Sequence, residues 1–526
     1  MGAELEESTT HHEDITKKET KDLECVGSIA EGEDLDRLGY RQEMRRNRSV
    51  FTLLFQMLAI AAIPYGEGSP LINGIIGGGP LTLFVGWIVV CSLDECIALS
   101  LAELASRYPT SAGPYYWSFQ IAQSSKTVVS FLNGWVWLIG NWTITLSVNF
   151  GFASLLSATV SMYHPNWSAN DWQLLLIFYA VCIGSLLICT FGNRYLPQVD
   201  TFCATWTLLT IFVVLIALSV KAEAGRHSAA YALGHYEKTF SGWGGFTFFI
   251  GLLPPSYTFS AIGMVSSMAE ECAKPAVKLP QAISLCVPVG GLAGIFFILP
   301  ICFTIPPLQH VINAPAAQAL PYIFHIVMGS PGGGLGLNFL VLIITLFCSI
   351  SITVAASRTT WAFARDDAMP LSKIWARVNP RLGVPVWSIV LLTIIQMLLG
   401  LINLGSSSAF TAFVSVGVIA LATAYAIPIA LSLWNGRREV MKAQWNCGRI
   451  VGPIVNVIAL CWISFELVLF SMPAVLPVTK VSMNYASVVF AGFMAIAVAW
   501  YAVHARKCMV PFYDLRMELK LTFTSI

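Results

Sequence analysis

The chain has 526 residues, of which 56% are hydrophobic and 11% charged, with a net charge of +1. Soluble domains carry about 25% charged residues, so this composition excludes an ordinary soluble fold and predicts a polytopic membrane protein. A balance so near neutrality gives no electrostatic reason to expect nucleic acid as a partner.

Residues 1–48 are rich in Glu, Asp, Lys, Thr and Arg and read as a disordered, cytosolic polar tail. The tail lacks the apolar h-region and cleavage site of a secretory signal, so the first hydrophobic helix is expected to act as the targeting signal. His11 and His12, without thiolates, do not make a metal site. Arg41, Arg45, Arg46 and Arg48 abut the first span and favour the cytosolic side there.

A span needs about 20 mainly apolar residues. Twelve such stretches follow, at roughly 49–76, 81–105, 128–160, 172–191, 197–220, 244–268, 282–305, 335–364, 385–404, 410–433, 451–472 and 486–504. With the amino terminus inside, 26 of the 30 Lys and Arg residues fall on the inner side and 4 outside. That split orients the chain with both termini cytosolic and supports the span count. Cys25, Cys272, Cys447 and Cys508 fall inside and the other cysteines lie within spans, so no extracellular disulfide framework is expected. Asn166-Trp167-Ser168 is an N-glycosylation sequon in the outer loop after span three. The sequons at Asn47 and Asn141 are cytosolic or within the membrane and are expected to be silent. The chain carries no GxxxxGK, HExxH or GxSxG motif, and no inter-span loop is long enough for a soluble catalytic domain. A non-enzyme without cofactor or metal is the expectation.

Two spans are irregular. In span one, Pro64-Tyr65-Gly66-Glu67-Gly68-Ser69-Pro70 places two prolines, two glycines and a carboxylate at bilayer depth. A regular helix is not expected to survive from Pro64 to Pro70, and a broken helix carrying an acid belongs where something polar binds or passes. In span six, Pro254-Pro255 is followed by Ser260, Ala261 and Gly263, and the helix ends in Glu270-Glu271. Irregular helices in corresponding positions of two halves point to an inverted-repeat transporter with a midplane site.

Four stretches carry a family resemblance: Gly78-Gly79-Pro80 through Glu103 to Pro109; Pro109-Thr110-Ser111-Ala112-Gly113-Pro114-Tyr115-Tyr116-Trp117; Met268-Ala269-Glu270-Glu271 with Pro280-Gln281-Ala282-Ile283; and Ser357-Arg358, Ala362 to Asp366, Met369-Pro370 and Val378-Asn379-Pro380. The chain resembles the amino acid–polyamine–organocation superfamily, and within it the fungal and bacterial amino acid/choline permeases, similar to GABA and choline permeases. The resemblance implies an all-α, leucine-transporter-type fold with a five-plus-five inverted repeat. The first repeat would span 49–220, the second 221–434, the two added helices 435–505 and a cytosolic tail 506–526.

By the resemblance, Gly66 and Gly68 offer unwound backbone to a substrate carboxylate. Glu67 departs from the small hydroxyl expected between them; it would repel a carboxylate, attract an ammonium or hold a proton. Tyr257 and Phe259 resemble the aromatic gate over the site, with Ser260, Ala261 and Gly263 as unwound backbone. Asp94 and Glu95, about 100° apart on one helix, are proton-relay candidates, and Glu103 is expected at an inner gate or paired with Arg358 or Arg365. Glu466 is expected to be structural. Span five lacks the lysine that several relatives use for coupling, with Trp206 or Thr207 near that place. Coupling therefore runs through Glu67, through sodium, or is absent. The implied function is a secondary permease importing amino acids or small amines such as GABA, choline or polyamines, proton-coupled, with the lipid bilayer as its medium and the plasma membrane as its place. A nutrient sensor on the same fold, or an uncoupled exchanger, is the alternative.

Overall fold

The computed structural model describes residues 35–505, apart from 37, 45, 165, 406–408, 480 and 481. The tails at 1–34 and 506–526, with His11, His12, Cys25 and Cys508, lie outside the described residues. Twelve helices are long and apolar enough to cross a membrane, and no strand occurs among the described residues. The spans are Val50–Gly68, Pro80–Arg107, Lys126–Tyr163, Asp171–Phe191, Asn193–Lys221, Gly244–Glu271, Pro275–Thr304, Pro331–Arg365, Val386–Leu404, Ser415–Trp434, Val451–Leu469 and Ala486–Val503. The chain is a multi-pass membrane protein.

Spans one, three, six and eight form the buried centre, while four, five, nine, eleven and twelve turn much of their surface outward. Outward-facing Phe191, Leu209, Ile216, Leu398 and Val488 explain why those helices are apolar on all sides. Inside, small residues let helices approach closely. Span seven receives Trp87 of span two over Gly294, and Trp87 Nε1 donates to the Gly291 carbonyl at 2.8 Å. Span three packs along spans eight and ten.

Span one breaks earlier than its prolines suggest. The helix Val50–Ala61 ends where Ala62 turns left-handed (φ 43°), and Ile63–Gly68 is helical again. Pro64 sits in the first turn of that second piece, where its missing N–H costs no helical bond. The proline therefore starts a helix, and the expected irregularity from Pro64 to Pro70 is confined to Ala62 and to Ser69-Pro70. Span six behaves alike. Pro254 and Pro255 open the helix Leu253–Phe259, the chain departs from it at Ser260-Ala261, and Ile262–Glu271 continues as a tighter 3-10 helix.

The packed structure also begins before residue 49. Tyr40, Met44 and Arg48 are buried. Tyr40 Oη donates to Asp366 Oδ2 at 3.0 Å, Gln42 Nε2 donates to the Glu270 carbonyl at 2.7 Å, and the amides of Asn47 and Arg48 both donate to the Glu271 carbonyl at 3.0 Å. The end of the segment read as a polar tail is thus a strap across the face that carries the basic loops.

Candidate functional site

The interrupted parts of spans one and six pack against each other. Gly66 permits the contact: a β-carbon there would lie 2.6 Å from the Ala61 carbonyl oxygen and 2.7 Å from Thr258 Oγ1. Gly68 meets Leu320 in the same way, at 2.5 Å. Both glycines sit inside a short helix, so they serve close packing and not the unwound backbone expected of them. The unwound residue of span one is Ala62, immediately followed by Ile63 and Pro64.

The break in span six is held by a residue that local sequence gave no reason to select. Tyr425 of span ten donates its hydroxyl to the Ser260 carbonyl at 3.0 Å and accepts from the Gly263 amide at 3.1 Å. One hydroxyl thereby satisfies a carbonyl and an amide that the departure from α-geometry frees. Ser260 and Gly263 are brought together on it, with Ala261 between them. The Tyr425 ring packs 5.6 Å from that of Trp137, whose Nε1 has no hydrogen-bond partner.

The expected aromatic pair divides. Tyr257 faces span three, its hydroxyl 2.9 Å from Ser147 Oγ, and Tyr65 Oη stands 3.4 Å from the Ser147 and Val148 carbonyls. Phe259 turns the other way, its ring 5.4 Å from Trp87 and its edge against Gly290 of span seven. Of the two, only Tyr257 turns toward span three.

Glu67 is fully buried, and among the described residues neither carboxylate oxygen has a hydrogen-bond partner. Cys91 of span two and Cys302 of span seven are within electrostatic reach of it. Asp94 and Glu95 separate as the helix predicts. Asp94 turns inward and accepts from Trp462 Nε1 of span eleven at 2.8 Å, while Glu95 borders an outer groove between spans two and seven. Glu466, one turn beyond Trp462, is buried and shares a cavity with Asp94, so its place beyond the first ten spans does not remove it from the centre.

The face that carries the basic loops is closed by ion pairs. Arg48 joins Asp200 (3.1 Å) and Glu271 (3.2 Å), Arg358 joins Glu271 (2.9 Å), and Arg365 joins Glu270 (3.0 Å). Burial works against the Arg48 charge, yet Glu271 and Asp200 outweigh it and hold its guanidinium above its ordinary range. At the end of span eight, burial pushes the Asp366 carboxyl up despite Arg365 and the hydroxyls of Tyr115 and Tyr40. Glu103 is not part of this set. It pairs with Arg437 and accepts from the Cys447 amide at 2.7 Å, in place of the expected Arg358 or Arg365. Those two arginines are taken by the Glu270-Glu271 pair that ends span six. Among the described residues no group of His, Cys, Asp and Glu could hold a metal ion. Asn166 is exposed in the loop between spans three and four.

The amino acid permease family model matches residues 49–494. The chain is 31% identical to the amino-acid permease BAT1 of Arabidopsis thaliana over 489 residues, covering 90% of this chain and 94% of that protein. It is 27% identical to the choline transporter of Saccharomyces cerevisiae, covering 93% and 86%, and 29% identical to the polyamine transporter TPO5 of the same yeast, covering 88% and 76%. With its residues matched from the first span into the twelfth, the chain belongs to the amino acid permease family of the amino acid–polyamine–organocation superfamily.

Proposed function

We propose that the chain is a secondary transporter that imports amino acids or small amines, with protons as the coupling ion. It is a transporter by family and not an enzyme. The observation that carries the substrate reading is Glu67, a fully buried carboxylate without a hydrogen-bond partner, in the short helix that packs against the interrupted part of span six. An unpaired carboxylate in a low-dielectric interior is costly unless a proton or a cation neutralises it. A substrate ammonium meets that need, which fits relatives named for amino acids, choline and polyamines. The adjacent packing of spans one and six supports the five-plus-five inverted repeat, with Ala62, Tyr257, Ser260, Ala261 and Gly263 around the substrate and Gly66 and Gly68 setting the helix spacing. The excess of Lys and Arg on one face supports cytosolic termini, and Asn166 on the opposite face is the glycosylation site of a plasma-membrane protein.

A competition panel in permease-deficient yeast tests this reading, with neutral amino acids, GABA, choline and spermidine against a radiolabelled amine. Uptake that a protonophore abolishes, and that Glu67→Gln weakens much more than surface expression, is the expected result. Full rate and affinity in Glu67→Gln would remove Glu67 from the substrate site, and uptake indifferent to every ion gradient would leave a facilitator or exchanger.

A further inference from the structure

Beside the break in span six lies a small cavity walled by Asp94, Ser256, Phe259, Ser260, Tyr425 and Glu466. The space in which a water-sized sphere can move is only about 20 Å³, room for about one water. Asp94 and Glu466 are 3% and 4% exposed, and Ser256, 1% exposed, has an Oγ without a hydrogen-bond partner. Among the described residues no Lys, Arg or His lines this space. The other titratable groups around Asp94 are Tyr425 across the cavity and Cys91, Glu95 and Cys96 on its own helix, none of them a cation.

We propose that Asp94 and Glu466 form a proton-holding site that acts on the substrate-binding break in span six through Tyr425. This inference rests on the transport reading above and names the proton's place within it. While the cavity is closed to solvent, two buried carboxylates without a cation share one proton. The indole of Trp462 is a donor only and bonds an ionised carboxylate more strongly than a neutral acid, which favours Asp94 as the ionised member and Glu466 as the one that carries the proton. Ser256 Oγ is the hydroxyl beside the pair, within hydrogen-bonding influence of Glu466. When the proton leaves to solvent, the pair goes from one negative charge to two. A carboxylate is a stronger acceptor than a carbonyl. The hydroxyl of Tyr425, which lines the same cavity, is then drawn off the Ser260 carbonyl. Ser260 O and Gly263 N–H lose their shared partner, and the backbone at the break changes its hydrogen-bonding capacity. Glu67 does not line this cavity, so substrate charge and coupling proton occupy separate acids.

The test uses the full chain in proteoliposomes. Infrared difference spectra across a pH titration read protonated carboxyl groups directly, and proton-driven accumulation of a labelled amine reads coupling. Wild type is expected to show a titrating carboxyl band that Glu466→Gln abolishes and Asp94→Asn shifts. Tyr425→Phe is expected to keep the band while proton-driven accumulation falls about tenfold. Should Glu466→Gln fail to fold, Trp462→Phe serves: without the indole donor the band persists to higher pH. A band that survives Glu466→Gln and Asp94→Asn unchanged, or that Glu67→Gln alone removes, overturns the proposal, as does Tyr425→Phe with undiminished accumulation. A wild-type band that behaves as expected, with no uptake of any amine or amino acid, refutes the transport reading while leaving the proton site in place.

Discussion

Replacing Glu271 with glutamine isolates what the ion pairs on the basic face do. Glu271 accepts from Arg48 Nε at 3.2 Å and from Arg358 Nε at 2.9 Å, and the two arginine side chains are 1% and 0% exposed. Arg48, Arg358, Glu271 and Asp200 balance to zero; the substitution leaves a net charge of +1 in the same volume. Breaking a buried pair by removing one partner costs about 3–5 kcal/mol. If the pairs exist only while this face is closed, that cost shifts the equilibrium toward the open form by roughly two to three and a half orders of magnitude, at about 1.4 kcal/mol per decade. Cys272, fully buried next to Glu271, reports the change. Alkylation of Cys272 by a membrane-permeant maleimide, quantified on its peptide by mass spectrometry, is expected to accelerate at least about a hundredfold on the same scale. Unchanged labelling in protein that still folds, with an unchanged melting temperature, would refute the reasoning, because the charge imbalance would then have no structural outlet.

Gly66→Ala places a β-carbon 2.6 Å from the Ala61 carbonyl, a backbone atom that cannot turn away. Overpacking of this kind costs about 1–3 kcal/mol, so the thermal midpoint in detergent should fall, and adding Thr258→Ser should not restore it. Arg437→Gln leaves Glu103 with the Cys447 amide alone, and a loss of about 3–5 kcal/mol is expected. The double change with Glu103→Gln should be milder than Arg437→Gln, read as a double-mutant cycle on thermal stability. Lys442 and Arg107 hold Glu439, in the loop after span ten, down to about 2. A carboxylate with a depressed pKa contributes stability above its unfolded value and loses it as pH falls toward the folded value. Mutating Glu439 should therefore leave the stability profile unchanged between neutrality and the ordinary carboxylate range, and flatten it only in stronger acid.

The spans were legible because lipid and protein both demand apolar surface, and hydropathy reads that demand without knowing the neighbours. The two irregular spans were legible from their Pro and Gly content. The sites of the breaks were not. Pro64 and Pro254 suit a first helical turn, so they mark where a piece begins, and the left-handed Ala62 has no composition that announces it. Gly66 and Gly68 were noticed for their backbone freedom and are used for their missing β-carbons. Glu67 was singled out from its residue type alone, since an acid in an apolar stretch stands out whatever it faces. Partners across long stretches of sequence were the least accessible. Glu103 finds Arg437 because the loop after span ten folds under span two, and Arg358 is unavailable to it because the end of span six arrives first. Tyr425 looks like any interfacial or packing tyrosine until the break in span six is placed beside it.

The strap from Leu38 to Arg48 bears on how the gene should be trimmed. Hydropathy recommends starting an expression clone at the first apolar residue, Val50. That truncation deletes the Arg48 side chain and leaves the buried Asp200 and Glu271 with Arg358 alone for two acids. It also uncovers Arg365, over which the Tyr40 ring lies at 4.0 Å. A shortened protein would thus be a charge mutant of the closure on its own basic face, and low yield or leak in such a clone would report on the missing arginine and not on the transporter. Affinity tags and fluorescent fusions belong upstream of Leu35, with the intervening residues kept.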